Sequence, residues 1–308
     1  MAIFRNLDNI DKNKVTVKKL FHYFRIRNQG KDLTKKIPVS NHLQIDYLKE
    51  NRTQITYTWI GHSTFLIQMS GLNILTDPVF SNRMGLEKRL VPPGIFLKDL
   101  PPIDIVLISH AHFDHLEFQS LRKLKGNPHI YVPYGLKRLF KQKGFASIIE
   151  ANWWDHFTHE DLSIHFVPAQ HWSRRNLLDK NRAHWGGWVF LSTDHTFYFV
   201  GDTGYFRGFQ EIGTRFSIDT IFAPIGDYEP EWMSGLQHMN PEQAIQAFVD
   251  VAAESFVPMH YGTYRLSMDT GPEALDRLRA EWNRRKLSEN KINILKIGET
   301  VILPQSNH

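Results

Sequence analysis

The sequence predicts an α/β protein in which two β-sheets pack face to face and helices cover them. From about residue 53 onward, short apolar segments rich in β-branched and aromatic residues are separated by turns, as in a series of strands. Segments with helical periodicity lie between runs of strands, which is typical of a layered sandwich. The chain has 308 residues and is 42% hydrophobic, so it is long enough for one large domain or two smaller ones.

The predicted elements follow one another along residues 51–308, which we interpret as the main domain. The segments with strand character are 56–60, 64–68, 73–76, 103–109, 130–132, 163–168, 188–192, 196–200 and 256–259. The segments with helical character are 118–125, 135–143, 241–253 and 272–286. Ser70 and Gly71 predict a hairpin turn between two strands, and Asn240 and Pro241 suit the cap and first turn of a helix.

Residues 1–50 are interpreted as a basic extension that precedes this domain or packs on it. Within it, residues 1–36 contain ten Lys or Arg and three Asp, a net charge of +7. Since the whole chain is +5, residues 37–308 total −2. Apolar residues are interleaved with these charges, so the segment could lie on an anionic membrane surface or form a terminal helix docked on the body. Nucleic acid is not expected as a partner, because no basic stripe continues into the domain.

Composition also limits the location and the chemistry. No segment contains the roughly 18 consecutive apolar residues of a membrane span, and the first residues lack the order of a signal peptide. We therefore expect a cytoplasmic protein, with peripheral membrane contact left open. The chain has no Cys, which excludes thiolate ligands and Cys nucleophiles. Any metal site must therefore be built from nitrogen and oxygen.

The segment 110–116 indicates half of a site for two metal ions. It directly follows the predicted strand 103–109, and the end of a strand is a usual position for functional groups on a rigid support. Three imidazoles and a carboxylate within six positions suit a metal such as zinc, which binds neutral His nitrogens and Asp oxygens. These four candidate ligands are His110, His112, Asp114 and His115.

Three later segments repeat this design, because each is an apolar run that ends in a residue of a ligand type. His171 follows the predicted strand 163–168, Asp202 follows 196–200, and His260 follows 256–259. Seven candidate ligands suit two metal ions, with one carboxylate shared between them. A closed structural zinc site uses only four ligands, so this number favours an enzyme over a metal-stabilised binding module.

The string His-x-His-x-Asp-His, followed by single His, Asp and His ligands, resembles the ligand pattern of the metallo-β-lactamase superfamily. The chain is most similar to the branch of N-acyl-phosphatidylethanolamine-hydrolysing phospholipases D. The segments that carry the resemblance are WIGHSTFLI (59–67), LTDPVFSNR (75–83), LPPIDIVLISHAHFDHL (100–116), PAQHWSRR (168–175), FVGDTGY (199–205), PIGDYEP (224–230), QHMNPEQA (237–244) and MHYGT (259–263). The similarity covers residues 53–302 and implies a four-layer αββα sandwich.

The resemblance also implies how the ligands are divided between two zinc ions. One ion would be held by His110, His112 and His171, the other by Asp114, His115 and His260, with Asp202 bridging them. Manganese or iron would tolerate the same nitrogen and oxygen ligands. Two ions about 3.5–4 Å apart can hold a hydroxide and clamp both oxygens of a displacement at a phosphodiester.

Five further roles are left open by the sequence. Asp114 could serve as ligand alone or also as an acid and base. The resemblance implies that His238 lies near the active centre, where it could contact substrate or steady a leaving group; otherwise it is a surface loop His. His62 could support a metal ligand, contact the substrate phosphate, or be a structural His bonded to backbone. Asp77 could hold a metal-bound His or cap a turn. Tyr228 could line the pocket or be a surface loop residue.

The function predicted from these observations is a metal-dependent phosphodiesterase of the phospholipase D type, acting on a phospholipid or a related small molecule. The alternative is a cytoplasmic metal-dependent lactonase, acting on a sugar-phosphate or acyl lactone, because the same metals activate the same water. A nuclease is disfavoured by the net charge of −2 on residues 37–308. The oligomeric state is open, with a homodimer allowed.

Overall fold

The computed structural model describes residues 3–8, 16–27 and 31–304. Within them two β-sheets pack against each other, and helices lie on the outer faces. Strand order is β15-β1-β2-β3-β6-β7-β8 in the first sheet and β14-β13-β12-β11-β10-β9 in the second, while β4 and β5 form a separate hairpin. The predicted αββα sandwich is confirmed.

The strands are short, and most of their residues are buried. They are β1 (Thr56–Gly61), β2 (Thr64–Met69), β3 (Leu72–Thr76), β4 (Arg83–Met84), β5 (Glu87–Lys88), β6 (Ile105–Leu107), β7 (His129–Pro133), β8 (Ile148–Ala151), β9 (His156–His159), β10 (Leu162–Val167), β11 (Gly187–Leu191), β12 (Thr196–Phe199), β13 (Thr220–Pro224), β14 (Ser255–Met259) and β15 (Thr300–Ile302).

The helices fall before, between and after these strands. They are α1 (Val17–Ile26), α2 (Ile45–Glu50), α3 (Phe118–Leu121), α4 (Lys137–Gln142), α5 (Gly208–Arg215), α6 (Glu231–Ser234), α7 (Pro241–Asp250) and α8 (Gly271–Arg284), with two short 3-10 helices at Leu97–Asp99 and Glu289–Lys291. Asn240 caps α7 as predicted, because its side chain accepts from the Gln243 N–H while the Gln243 side chain bonds back.

Aromatic side chains fill the space between the two sheets. The ring of Phe222 on β13 lies 4.6 Å from that of Phe65 on β2 and 5.4 Å from that of Tyr57 on β1. Such contacts join the sheets and contribute roughly 0.5–1.5 kcal/mol per pair beyond area burial. Outside the second sheet, Phe248 of α7 packs against Phe256 of β14 and Trp282 of α8. The ligand-bearing loops are therefore supported by a rigid core.

Several boundaries differ from those predicted. The strand predicted for 103–109 is only Ile105–Leu107, because the N–H of Ser109 donates to the Asp77 side chain instead of to a neighbouring strand. The helix predicted for 118–125 ends at Leu121, and α7 ends at Asp250 because Ala252 has a φ of +52°. The Ser70-Gly71 turn was correct, with both residues at positive φ.

The N-terminal region contains the docked helix that was one of the two alternatives. Tyr23 of α1 is buried, and Arg27 donates to Glu87 at 2.7 Å and to the Arg265 carbonyl at 3.0 Å. Leu48 of α2 lies in the core beneath the first sheet, so residues before 51 contribute to the fold. In the described ranges, no helix has the length and apolar character needed to cross a membrane.

Candidate metal centre

All seven predicted ligands meet at one edge of the sandwich, in loops that follow strands of both sheets. His110, His112, Asp114 and His115 follow β6 of the first sheet, whereas the other three follow β10, β12 and β14 of the second sheet. These three are His171, Asp202 and His260. The ligands thus lie where the ends of the two packed sheets face each other, on loops anchored at both sides.

Three His nitrogens converge on one point. Nε2 of His110 lies 2.8 Å and Nε2 of His171 lies 3.1 Å from Nδ1 of His112. Nδ1 of His171 lies 3.0 Å from the Gln237 carbonyl oxygen, which can only accept, so this nitrogen carries the proton and Nε2 is a lone pair. Several lone pairs aimed at each other repel, and a cation placed among them removes the repulsion.

A second cluster contains the carboxylates. Oδ2 of Asp114 lies 3.4 Å from Nε2 of His115 and 3.6 Å from Nε2 of His260. Asp202 lies between the two clusters, with Oδ1 3.1 Å from Nε2 of His260 and Oδ2 3.2 Å from Nε2 of His115. The same Oδ2 lies 3.9 Å from Nε2 of both His110 and His171. Asp202 is therefore placed to reach both groups.

Buried hydrogen bonds hold two of these imidazoles in a single tautomer. Nδ1 of His115 donates to Oδ2 of Asp77 at 2.7 Å. The Ser109 hydroxyl donates to Oδ2 of Asp77 at 2.5 Å and lies 2.9 Å from Nδ1 of His110, from which it accepts. Nε2 of His110 and of His115 is left free to bind a metal, which is the arrangement that metal-binding His residues usually require.

The donor set fits divalent ions on independent grounds. Burial and the surrounding imidazoles hold the pKa of His110 well below its usual range, and burial with His112 does the same for His171, so both rings are neutral. Three atoms that point into the cluster are buried without a hydrogen-bond partner: Nε2 of His115 and His260 and Oδ1 of Asp202. Such groups are costly unless a ligand satisfies them, and neutral imidazoles with carboxylates suit zinc.

The structure also locates the residues whose roles were open. Asp77 is buried and hydrogen-bonded to His115, and His62 has Nε2 3.2 Å from Oδ2 of Asp114 while its carbonyl also accepts from Trp59 and the His260 N–H. Both therefore contact predicted ligands. Tyr228 is buried and does not line the cavity over the cluster; it lines a smaller cavity that also contacts His238.

His238 does lie at the cluster, and it contacts Asp227, a residue that the sequence analysis did not single out. Nδ1 of His238 lies 3.8 Å from Oδ2 of Asp202, and its Nε2 lies 3.4 Å from Oδ2 of Asp227. Burial lowers the pKa of His238 to about 4, so the ring is neutral near neutral pH. The GDYEP segment was recognised, but nothing in it distinguished Asp227 from the adjacent Tyr228.

A cavity of about 590 Å³ opens over the cluster. The walls combine polar groups of the site with apolar side chains from the β4–β5 hairpin and neighbouring loops. Its lining is formed by Met84, His112, Phe113, Asp114, Trp172, Arg174, Arg175, Asn176, Leu177, Asp202, Asp227, His238 and Leu266. The volume is within the usual range for sites that enclose small organic ligands.

Comparison with known proteins agrees with this fold and site. Residues 72–261 match the family model described as a β-lactamase superfamily domain. N-acyl-phosphatidylethanolamine-hydrolyzing phospholipase D 1 of Caenorhabditis elegans is 34% identical over 253 residues, covering 76% of this chain and 70% of that protein. The chain belongs to the metallo-β-lactamase superfamily and is a metal-dependent hydrolase, similar to the branch of N-acyl-phosphatidylethanolamine-hydrolysing phospholipases D.

Two more similarities define the extent of the match. The mitochondrial N-acyl-phosphatidylethanolamine-hydrolyzing phospholipase D of Saccharomyces cerevisiae is 36% identical over 244 residues, which are 73% of this chain but only 52% of that protein. The chain thus spans about half the length of the yeast enzyme. A metallo hydrolase from the archaeon Ignicoccus hospitalis is 26% identical with a TM-score of 0.65, covering 82% of this chain and all of that one.

Proposed function

We propose that this protein is a phosphodiesterase that hydrolyses a phospholipid of the N-acyl-phosphatidylethanolamine type. The observation that carries the proposal is the position of Asp202 on the floor of a cavity whose walls include apolar side chains. Its oxygens face His115, His260 and the three-His cluster. A centre for two ions suits a phosphodiester, since both the attacking and the departing oxygen need stabilisation.

The proposed cofactors are two divalent ions, with zinc as the first choice. His110, His112 and His171 would hold one ion, Asp114, His115 and His260 would hold the other, and Asp202 would contact both. Once bound, the ions would make a water molecule nucleophilic near neutral pH and neutralise negative charge on the phosphoryl oxygens. The chain's own residues would position the substrate and handle its protons.

Asp114 is the proposed proton carrier. Hydrolysis forms a P–O bond to the water oxygen and breaks the P–O bond to the alcohol, so water gives up a proton and the departing alkoxide takes one. Oδ2 of Asp114 is 3.2 Å from Nε2 of His62, and the residue lines the cavity. A carboxylate held beside the reacting atoms in this way can accept the proton from water and deliver it to the alkoxide.

His238 is the proposed contact to the substrate phosphate. Its Nδ1 has no hydrogen-bond partner in the described structure, although the atom is buried at the cavity wall. Burial raises the pKa of Asp227 well above its usual range, so a protonated Asp227 can donate to Nε2 of the neutral ring, while the one ring proton, on Nδ1, is donated to a phosphoryl oxygen. That bond would strengthen as negative charge grows in the transition state.

The cavity wall supports a substrate with an apolar part. Met84, Phe113, Trp172, Leu177 and Leu266 supply apolar surface around the polar floor. Acyl chains would cover this surface, whereas a small sugar-phosphate lactone would leave most of it exposed to water. The lipid is therefore favoured over a sugar-phosphate lactone, and an acyl lactone, the other form of the alternative, is distinguished by the product analysis described below.

Exposed apolar side chains around the cavity also support peripheral contact with a membrane. Leu177 lines the cavity and is 84% exposed, and Leu86, two residues beyond the lining residue Met84, is 93% exposed. Phe21 of α1 is exposed as well, and α1 is joined to the β4–β5 hairpin through Arg27 and Glu87. These side chains could enter the lipid boundary and place the cavity mouth at the substrate.

The test is product analysis with two substrates. Purified, zinc-loaded protein is incubated with mixed micelles containing N-acylated phosphatidylethanolamine and, separately, with acyl lactones. Release of phosphatidic acid together with the N-acylethanolamine supports the proposal. Turnover of lactone without any turnover of the lipid contradicts it and supports a lactonase.

A further inference from the structure

The N-terminal residues reach the metal centre through one buried amide. The side chain of Asn6 donates from Nδ2 to the His171 carbonyl at 3.1 Å and accepts at Oδ1 from the His171 N–H at 3.1 Å. Its Oδ1 also accepts from Nε1 of Trp185 at 3.1 Å. Asn6 is only 7% exposed. An amide buried to this extent needs such bonds to offset its lost hydration.

These bonds are made at the point where His171 leaves the sheet. Its predecessor Gln170 still forms a bridge with Gly204, and the Gln170 N–H donates to the Thr203 hydroxyl. Within the described ranges, both main-chain groups of His171 bond to the Asn6 side chain. The N–H donates to Oδ1, and the carbonyl accepts from Nδ2. The Asn6 amide thus takes the place of a neighbouring strand for a single residue.

The imidazole of His171 is therefore held from two directions. The Gln237 carbonyl accepts from Nδ1 at 3.0 Å and fixes the rotation of the ring, whereas Asn6 fixes the backbone from which the ring projects. Nε2 then points at Nδ1 of His112, 3.1 Å away. A shift of the His171 backbone by a few tenths of an ångström would move Nε2 relative to the other two ring nitrogens.

Residues 3–8 have their own anchors, so Asn6 is presented by an ordered segment. The Phe4 N–H donates to the Asn181 carbonyl at 2.9 Å, and the Phe4 ring stacks on His184 with centroids 4.2 Å apart. Asp8 pairs with Arg207 at 2.7 Å near the surface. The segment is tied to the body on both sides of Asn6.

We propose that Asn6 is a positioning residue for His171, and that residues 3–8, which present Asn6, contribute in this way to metal binding. This inference rests on the proposed metal-binding role of His171. Groups that hold a metal-binding His in place, without touching the metal, typically change metal affinity by roughly 10–100-fold when removed. Neither the predicted metal motifs nor the matched residues 72–261 include Asn6.

The experiment measures metal binding rather than turnover. Wild type, Asn6→Ala and Asn6→Asp are titrated with zinc against a chromophoric chelator, and the visible absorption of the cobalt-loaded proteins is recorded. Asn51→Ala is the matched control, because Asn51 is also 7% exposed and its amide donates to the Gln54 carbonyl and to Gln68 at 2.9 Å, outside the metal cluster.

The expected result is a roughly 10–100-fold weaker affinity for one ion in Asn6→Ala, with an altered cobalt spectrum. Asn6→Asp keeps the acceptor but loses the donor, so its affinity should fall between the two; it also serves if the alanine variant does not fold. Wild-type affinity and spectrum in the Asn6 variants, or an equal change in Asn51→Ala, would overturn the inference and leave the metal centre standing. A wild-type protein that binds no metal would overturn both.

Discussion

Nδ1 of His115 donates to Oδ2 of Asp77 at 2.7 Å, and both side chains are completely buried. The same carboxylate accepts the N–H and the hydroxyl of Ser109, which in turn accepts from Nδ1 of His110. One carboxylate therefore orients an imidazole in each of the two proposed ligand groups. It lies at the end of β3, next to β6, so the first sheet itself fixes this arrangement.

Replacing Asp77 with Asn should weaken metal binding by roughly 10–100-fold. A neutral amide polarises His115 less, and it cannot accept all three of the hydrogen bonds that the carboxylate accepts. The measurement is zinc affinity by competition with a chelator. Asp104→Asn is the control, since Asp104 precedes the same strand β6 but bonds to Arg52 and the Asn73 N–H. Unchanged affinity in the Asp77 variant would show that the hydrogen bond does not support the site.

Asp114→Asn separates the two roles proposed for this residue. If Asp114 delivers a proton to the departing oxygen, kcat for an alkyl phosphodiester should fall by roughly 10²–10⁴-fold. A p-nitrophenyl ester should lose far less, since its leaving group is stable as an anion. Both substrates are assayed with enzyme of verified metal content. Equal losses on the two substrates would mean that Asp114 acts as a ligand alone.

His184 should make the protein less stable at acidic pH. Burial lowers its pKa to about 3, and the ring stacks on Phe4 and packs at a tilt against Trp153. The unfolded chain takes up a proton near pH 6.5, and the folded protein does not until about pH 3. The stability is therefore complete above pH 6.5 and is lost as the pH falls below it. The free energy of unfolding should drop by about 2 kcal/mol from this residue between pH 7 and pH 5.

The matching measurement is urea unfolding of chelator-treated wild type and His184→Gln at both pH values. The other buried His residues are present in both proteins, so their contributions cancel in the comparison. The variant should lose about 2 kcal/mol less than wild type on acidification. An identical pH dependence in the two proteins would refute this assignment.

Leu86→Asp combined with Leu177→Asp tests the proposed membrane contact. Burying one leucine side chain contributes about 1.5–3 kcal/mol, so the double variant should bind anionic phospholipid vesicles at least roughly tenfold more weakly. Because Leu177 also lines the cavity, the single variant Leu86→Asp, at a position outside the lining, is the one that should keep near wild-type turnover of a water-soluble phosphodiester. Val249→Asp, an exposed position on α7, is the control. Vesicle binding as strong as that of wild type would contradict the contact.

Much of the fold could be predicted from the sequence because its strands are local apolar runs. Predicted boundaries were wrong where a side chain accepts a hydrogen bond in place of a neighbouring strand, as Asp77 does from the Ser109 N–H. Elements were also mispredicted where they are short and have no strong periodicity of their own. Strand β13 (Thr220–Pro224) was missed, although all five residues are buried, because an apolar run of this length does not identify a strand by itself.

The seven candidate ligands could be predicted because each is a distinctive residue type at the end of an apolar run. Of their supports, only Asp77 was a candidate, with its role left open; the others could not be predicted, since they are contacts between distant segments. Asn6 lies 165 positions from His171, and the Gln237 carbonyl lies 66 positions from it. A main-chain carbonyl has no sequence signature at all, and an Asn in a basic N-terminal segment resembles any solvated polar residue.

The most direct test of the proposed centre is metal content combined with turnover of bis-p-nitrophenyl phosphate, in wild type and in His110→Ala. We expect about two ions per wild-type chain, as a two-metal site requires, and loss of both metal and turnover in the variant. Turnover that survives in His110→Ala, or a wild-type protein that binds no metal, would contradict the assignment of the ligands. These are His110, His112, Asp114, His115, His171, Asp202 and His260.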